Sequence, residues 1–196
     1  MLPLWISFIL AQILFISLFP IWSQLIAYLN PVVVGLIWIG ITITALFLGA
    51  LWLKATIIVS RKVIHLATGL YSAILLILLF FRPNYQPRES INLIPFETIQ
   101  LYLSEYADPL VAFYNLGANV VLFMPFGIYY RFISKSPKLL TLVFYTVLTI
   151  SIIEASQLLT DRGNMDIDDL LLNLTGFILG YFIFPIVEKV VKVTAR

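Results

Sequence analysis

Residues 151–173 read SIIEASQLLTDRGNMDIDDLLLN: an acid, Glu154, inside an apolar run, then a polar turn, then an acidic start to a second apolar run. A bare carboxylate in hydrocarbon is costly, so an acid within a membrane helix marks a candidate functional site and calls for polar partners. Composition shows that this is the relevant solvent. Hydrophobic residues make up 61% of the chain and charged residues 11%, against about 25% charged in soluble domains. The mean hydropathy is +1.02. The chain is an integral membrane protein, and its 196 residues leave room for one membrane domain with short connections.

Crossing a core of about 30 Å takes about 20 apolar residues. Outward from the opening stretch, that length predicts six helices, near Leu4–Tyr28, Val32–Val59, Val63–Phe81, Val111–Phe132, Leu139–Leu159 and Ile167–Val187. Asn30-Pro31, Arg82-Pro83 and Ser136-Pro137 punctuate them. The expected fold is an all-α polytopic membrane helix bundle of about six transmembrane helices. Its divisions are three N-terminal helices over residues 1–82, an external loop with an apolar PF motif over 83–110, and three further helices with a tail over 111–196. The opening MLPLWISFILAQILF lacks a basic leader and a small-residue cleavage site, so it reads as a retained span.

Charge sets the expected orientation. With six spans, Lys54, Arg61, Lys62, Arg131, Lys135, Lys138, Lys189, Lys192 and Arg196 fall on one side, and only Arg82, Arg88 and Arg162 on the other. The positive-inside rule then places both termini in the cytoplasm. Most of the acids gather on the opposite side. The expected location is the cell membrane, multi-pass, with any site at the acidic end facing the extracytoplasmic side. A net charge of +2 and the lack of a basic run interleaved with aromatics exclude a nucleic-acid partner. Cysteine is absent, which removes disulfides and thiolate metal sites.

Three helices carry polar residues at helical spacing near their acidic-side ends. Asn115 and Asn119 lie four apart, Glu154 and Gln157 three apart, and Asp166, Asp169 and Asn173 at i, i+3 and i+7. Matched depth predicts one shared outward pocket, with Arg162 at its rim. Glu154 is the candidate catalytic group should the pocket do chemistry, and Asp166 and Asp169 are candidate ligands for Mg²⁺, a hard cation suited to oxygen donors. Structural readings stand beside these: Glu154 as an interhelical hydrogen-bonding group, and the aspartates as caps of the last helix. Pro125 predicts a kink in span four. The G-x-x-x-G of Gly176 and Gly180 predicts close packing between spans five and six. His65 reads as an interfacial histidine, and INLIPFETI as an interfacial anchor or a segment folded over the pocket.

The order of motifs resembles the VanZ-like membrane proteins: NLIPFETI, then NVVLFMPFG from Asn119 to Gly127, SIIEASQ from Ser151, and DIDDLLLN from Asp166 followed by Gly176 and Gly180. The resemblance covers about residues 92–187. It implies motif positions at Asn92, Pro95, Phe96, Asn119, Phe123, Pro125, Gly127, Glu154, Gln157, Asp166, Asp169, Asn173 and Gly176. It departs at Arg162, four residues before Asp166 where the family usually has three. The family's founding member is associated with low-level teicoplanin resistance. The expectation is therefore a cell-envelope protein whose outward pocket, lined by Asn115, Asn119, Glu154, Gln157, Arg162, Asp166, Asp169 and Asn173, engages an amphiphile. That partner would be a lipid-linked cell-wall component or a lipoglycopeptide antibiotic, with membrane lipids around it. The competing expectations are a Mg²⁺-dependent hydrolase or transferase acting on lipid phosphates and, ranked last, a proton-coupled transporter.

Overall fold

The computed structural model describes residues 2–26, 31–81, 91–104 and 108–194. Arg82, Arg88, Glu89, Glu105 and Arg196, which enter the charge count, and the Asn30 and Pro83 punctuation lie outside them. In chain order the elements are α1 (Leu2–Ser17), α2 (Phe19–Ile26), α3 (Pro31–Trp52), β1 (Ile57–Ser60), α4 (Arg61–Phe80), β2 (Ile91–Asn92), α5 (Glu97–Leu103), α6 (Pro109–Val121), α7 (Met124–Ile133), α8 (Leu139–Leu159), β3 (Met165–Asp166), α9 (Ile167–Val190) and β4 (Val191–Thr194). Among the described residues, five helical segments are long and apolar enough to cross a membrane: Val34–Trp52, Arg61–Phe80, Pro109–Ile133, Leu139–Leu159 and Ile167–Val190. This is an all-α polytopic membrane bundle. The first expected span is divided at Leu18 into α1 and α2. Pro20 has no N–H to continue the ladder, and the Ile21 N–H turns instead to the Leu18 carbonyl at 2.9 Å.

The chain forms two compact units, one running to Val59 and including Ile186–Thr194, the other Ser60–Pro185. In the first, α1 and α3 pack as an antiparallel pair. Gln12 bridges them, donating to Thr42 Oγ1 at 3.3 Å and accepting from the Trp38 indole at 2.7 Å. A Cβ on Gly49 would collide with Ser7. The β-branched runs IIVS and VKVT pair as a two-stranded sheet of β1 and β4, which the helical pattern of the neighbouring sequence conceals.

The second unit is built from α4, α6, α7, α8 and most of α9. Its core joins Leu75 and Leu79 of α4, Phe123 at the α6–α7 break and Ile150 of α8, with Tyr71, Phe126 and Phe177 packed against them. The third predicted span thus belongs to the same unit as spans four to six. Asp108 starts α6, its Oδ1 accepting the Leu110 and Val111 N–H groups at 2.8 and 3.1 Å, and Pro109 occupies the first turn, where no N–H is needed. The predicted kink at Pro125 is a full interruption: α6 stops at Val121, and α7 restarts at Met124. The Phe126 N–H shortens its reach to the Phe123 carbonyl. The Leu122 carbonyl is taken up by the Tyr71 hydroxyl of α4 at 2.8 Å. In hydrocarbon such a backbone group must find a protein partner, and Tyr71 supplies it.

Gly176 and Gly180 do pack closely, but against span four rather than span five. A Cβ on Gly176 would strike the Val120 carbonyl, and one on Gly180 the Met124 carbonyl. Reciprocally, a Cβ on Gly127 would strike the Phe177 carbonyl. The small residues lie on both sides of one parallel contact, so the two backbones approach as in small-xxx-small packing.

Candidate functional site

The site forms where α8 turns into α9 and the segment 91–104 is fastened across that turn. Helix α8 ends with Asp161 in the left-handed region (φ 52°), and the Arg162 N–H closes onto the Gln157 carbonyl at 2.8 Å. The chain then enters β3, which pairs in parallel with β2, Ile91 opposite Met165 and Asn92 opposite Asp166. Asp166 is therefore extended, not the first residue of a helical face; α9 starts one residue later, at Ile167. This corrects the i, i+3, i+7 reading of Asp166, Asp169 and Asn173. Only the last two share a helix.

Helix α5 has no cap of its own. Its N-cap residue, Phe96, sits at φ 69° with no side-chain oxygen to offer, while the first turn of any helix leaves N–H groups unpaired. Asp168 fills the need from 72 positions away: Oδ1 accepts the Phe96 N–H at 2.6 Å and Oδ2 the Ile99 N–H at 3.0 Å. Asp168 has 0% exposure, and both carboxylate oxygens are committed. Beside it, Asp166 Oδ1 accepts the Asp168 N–H at 2.9 Å and Oδ2 the Thr98 hydroxyl at 2.5 Å. Asn92 completes the fastening. Its amide donates to Thr98 Oγ1 at 3.1 Å and its Oδ1 accepts the Ile94 N–H at 3.0 Å.

Behind this clasp lies Glu154, 6% exposed, with Oε2 at 3.5 Å from the Asp166 N–H. A cavity of about 20 Å³ is lined by Leu93, Ser151, Glu154, Met165, Asp166, Ile167 and Leu170. That is room for about one water, far below the roughly 300–1,000 Å³ of a small-molecule pocket. Asn119 donates to Asp169 Oδ1 at 2.6 Å, tying α6 to α9. The Gln157 amide donates to the Leu79 carbonyl at 3.0 Å, tying α8 to the end of α4. Asn173 is buried, and its Oδ1 has no hydrogen-bond partner among the described residues.

Of the sequence-predicted residues, the structure brings Glu154 to Asp166 and Asn119 to Asp169. Gln157 and Asn173 are buried nearby in sequence but make neither of these contacts. Asn115 turns back on its own helix, donating to the Val111 carbonyl at 2.8 Å. Arg162 is exposed and stands over the Phe81 ring at 5.3 Å. Among the described residues no three His, Cys, Asp or Glu side chains come together as metal ligands. Of the two candidate ligands, Asp166 already accepts an O–H and an N–H on its two oxygens, and Asp169 Oδ1 accepts the Asn119 amide. Asp168, Thr98 and the backbone of Phe96 are contacts of the candidate site that sequence reasoning missed. The available signal was the helix start after Phe96, which has N–H groups to cap and only Pro95 and Phe96 before it.

Comparison with known proteins adds one match. A family model described as VanZ/LLP1 matches residues 68–188, more than half of the chain. That range runs from within α4 to the last turn of α9 and includes every residue of the clasp. No curated protein and no solved structure matches.

Proposed function

The chain belongs to the VanZ/LLP1 family, and from that premise we propose that it is an envelope membrane protein engaging an amphiphile at its extracytoplasmic face. The partner is a lipid-linked cell-wall component or a lipoglycopeptide, and sequestering the antibiotic lowers susceptibility to it. One observation carries the reading: an apolar segment is hung over a buried acid cluster by carboxylate clasps. Residues 91–104 present Leu93, Ile94, Phe96, Leu101 and Leu103 outward, an array suited to acyl chains at the membrane boundary. The polar side of the same segment is fastened to Asp166 and Asp168.

The cavity beneath is too small for a headgroup, so in this reading the tail lies along the outer face of the segment and the head beside the clasp. Glu154, against the Asp166 N–H, lies at the floor of the clasp, and Asn173 is buried farther along α9. Expression of the protein in a susceptible strain should raise the inhibitory concentration of a lipoglycopeptide, and Glu154→Gln or Asn173→Ala at equal protein level should restore susceptibility. Full protection by both variants would overturn the assignment.

A further inference from the structure

The opposite end of the second unit holds a second charged constellation that the clasp does not use. Arg131 lies in the last turn of α7, half-buried. Its guanidinium carbon stands 4.7 Å from the ring centroids of both Tyr181 and Phe184 of α9. Its Nε is buried and has no hydrogen-bond partner among the described residues. Seven residues of chain lead from Arg131 to Lys138, and both Lys135 and Lys138 in that turn are exposed.

The turn itself is fixed. The Tyr130 hydroxyl accepts the Lys138 N–H at 3.1 Å and donates to the Lys138 carbonyl at 3.2 Å. The Tyr181 hydroxyl donates to the Pro137 carbonyl at 3.0 Å. The ring under Arg131 therefore also clamps the backbone that carries the two lysines.

We propose that Arg131, Lys135 and Lys138 bind the phosphate of an anionic phospholipid headgroup at the α7–α8 turn. Contact with aromatic rings uses none of the guanidinium's N–H groups as donors to oxygen, and phosphate matches their fork. The two lysines add charge at the rim, where basic pockets between membrane helices meet anionic headgroups. The membrane supplies the phosphate because the site lies where two spanning helices turn, with an apolar wall of Phe132 and Phe184, whose rings meet edge to face at 4.8 Å. The positive-inside bias accounts for cations in this turn. It does not require one of them to be held over two rings with a dry, unpartnered nitrogen.

The test uses the purified full chain in detergent, with native mass spectrometry and thermal unfolding on addition of phosphatidylglycerol or phosphatidylcholine. One phosphatidylglycerol should stay bound and raise Tm, and phosphatidylcholine should do neither. Lys135→Ala/Lys138→Ala, both exposed, should weaken phosphatidylglycerol retention about tenfold, and Arg131→Lys, which keeps charge but loses the planar fork, should weaken it as well. Lys54→Ala/Lys62→Ala should leave retention unchanged. Equal retention of the two lipids, or equal loss in the Lys54/Lys62 variant, would overturn the site. Displacement of the lipid by millimolar inorganic phosphate would overturn the choice of lipid over free anion.

Discussion

Asp168 shows how one buried carboxylate can decide the position of a whole segment. It accepts two backbone N–H groups of α5, and hydrogen bonds to a charged group contribute about 1.5–3 kcal/mol each. That is enough to offset the cost of holding Phe96 in the left-handed region, about 1–2 kcal/mol for a residue other than glycine. In Asp168→Asn one oxygen becomes an NH₂ group that faces an N–H, so one bond is lost and a donor is opposed to a donor. Residues 91–104 should then detach while the bundle stays folded. Limited proteolysis of the detergent-solubilised protein should show new cleavage there, with little change in the unfolding temperature of the bundle. Unchanged protection would mean that Asp168 does not hold the segment. The sequence displayed the aspartates but not their division of labour. A helical face counted from Asp166 leaves Asp168 off the site, and only the extended geometry of β3 turns it inward.

Helices were legible from the length of the apolar runs, and α8 (Leu139–Leu159) has the bounds that its hydrophobic pattern predicts. Helix partners were not, because a run that is apolar on all sides carries no period to say which face meets which neighbour. The GFILG motif announced a close contact correctly and left its partner open. In the structure that partner is the broken span of α6 and α7. The small residues there separate cleanly into those that hold the contact and those that do not. Gly127 is pressed against the Phe177 carbonyl, whereas a Cβ on Gly117, one helix earlier in the same span, would meet nothing within 4 Å. Gly127→Ala should lose about 1–3 kcal/mol as the helices are forced apart. Gly117→Ala should gain about 0.5–1 kcal/mol through helix propensity alone. Thermal unfolding of the two variants in the same detergent should move Tm in opposite directions, and a shared direction would show that the parallel contact of α7 and α9 is not the one drawn here.

At the scale of the molecule, the clasp and the Arg131 cluster lie at opposite ends of the α7–α8–α9 run, since α8 leads from the one to the other. They must therefore meet opposite leaflets if α8 spans the bilayer. The proposed assignments agree in sign. By the positive-inside rule, Lys135 and Lys138 are expected at the cytoplasmic leaflet, where anionic lipid is plentiful. In that orientation the acids of the clasp would face outward, toward the leaflet where the proposed lipoglycopeptide would insert. The division of the first expected span at Pro20 bears on this directly. If α1 and α2 together cross the membrane, both termini are cytoplasmic. If they lie within one leaflet beside α3, the N-terminus moves to the outside and the C-terminus stays. Reporter fusions that are active only in the cytoplasm should be active at both ends of the chain, and a cysteine introduced at Ser104 should react with a membrane-impermeant thiol reagent in intact cells. An inactive N-terminal fusion with Ser104→Cys still labelled would remove one crossing and leave the site's orientation standing. Labelling of a cysteine at Ser136 in place of Ser104 would invert the bundle and, with it, both proposed ligands.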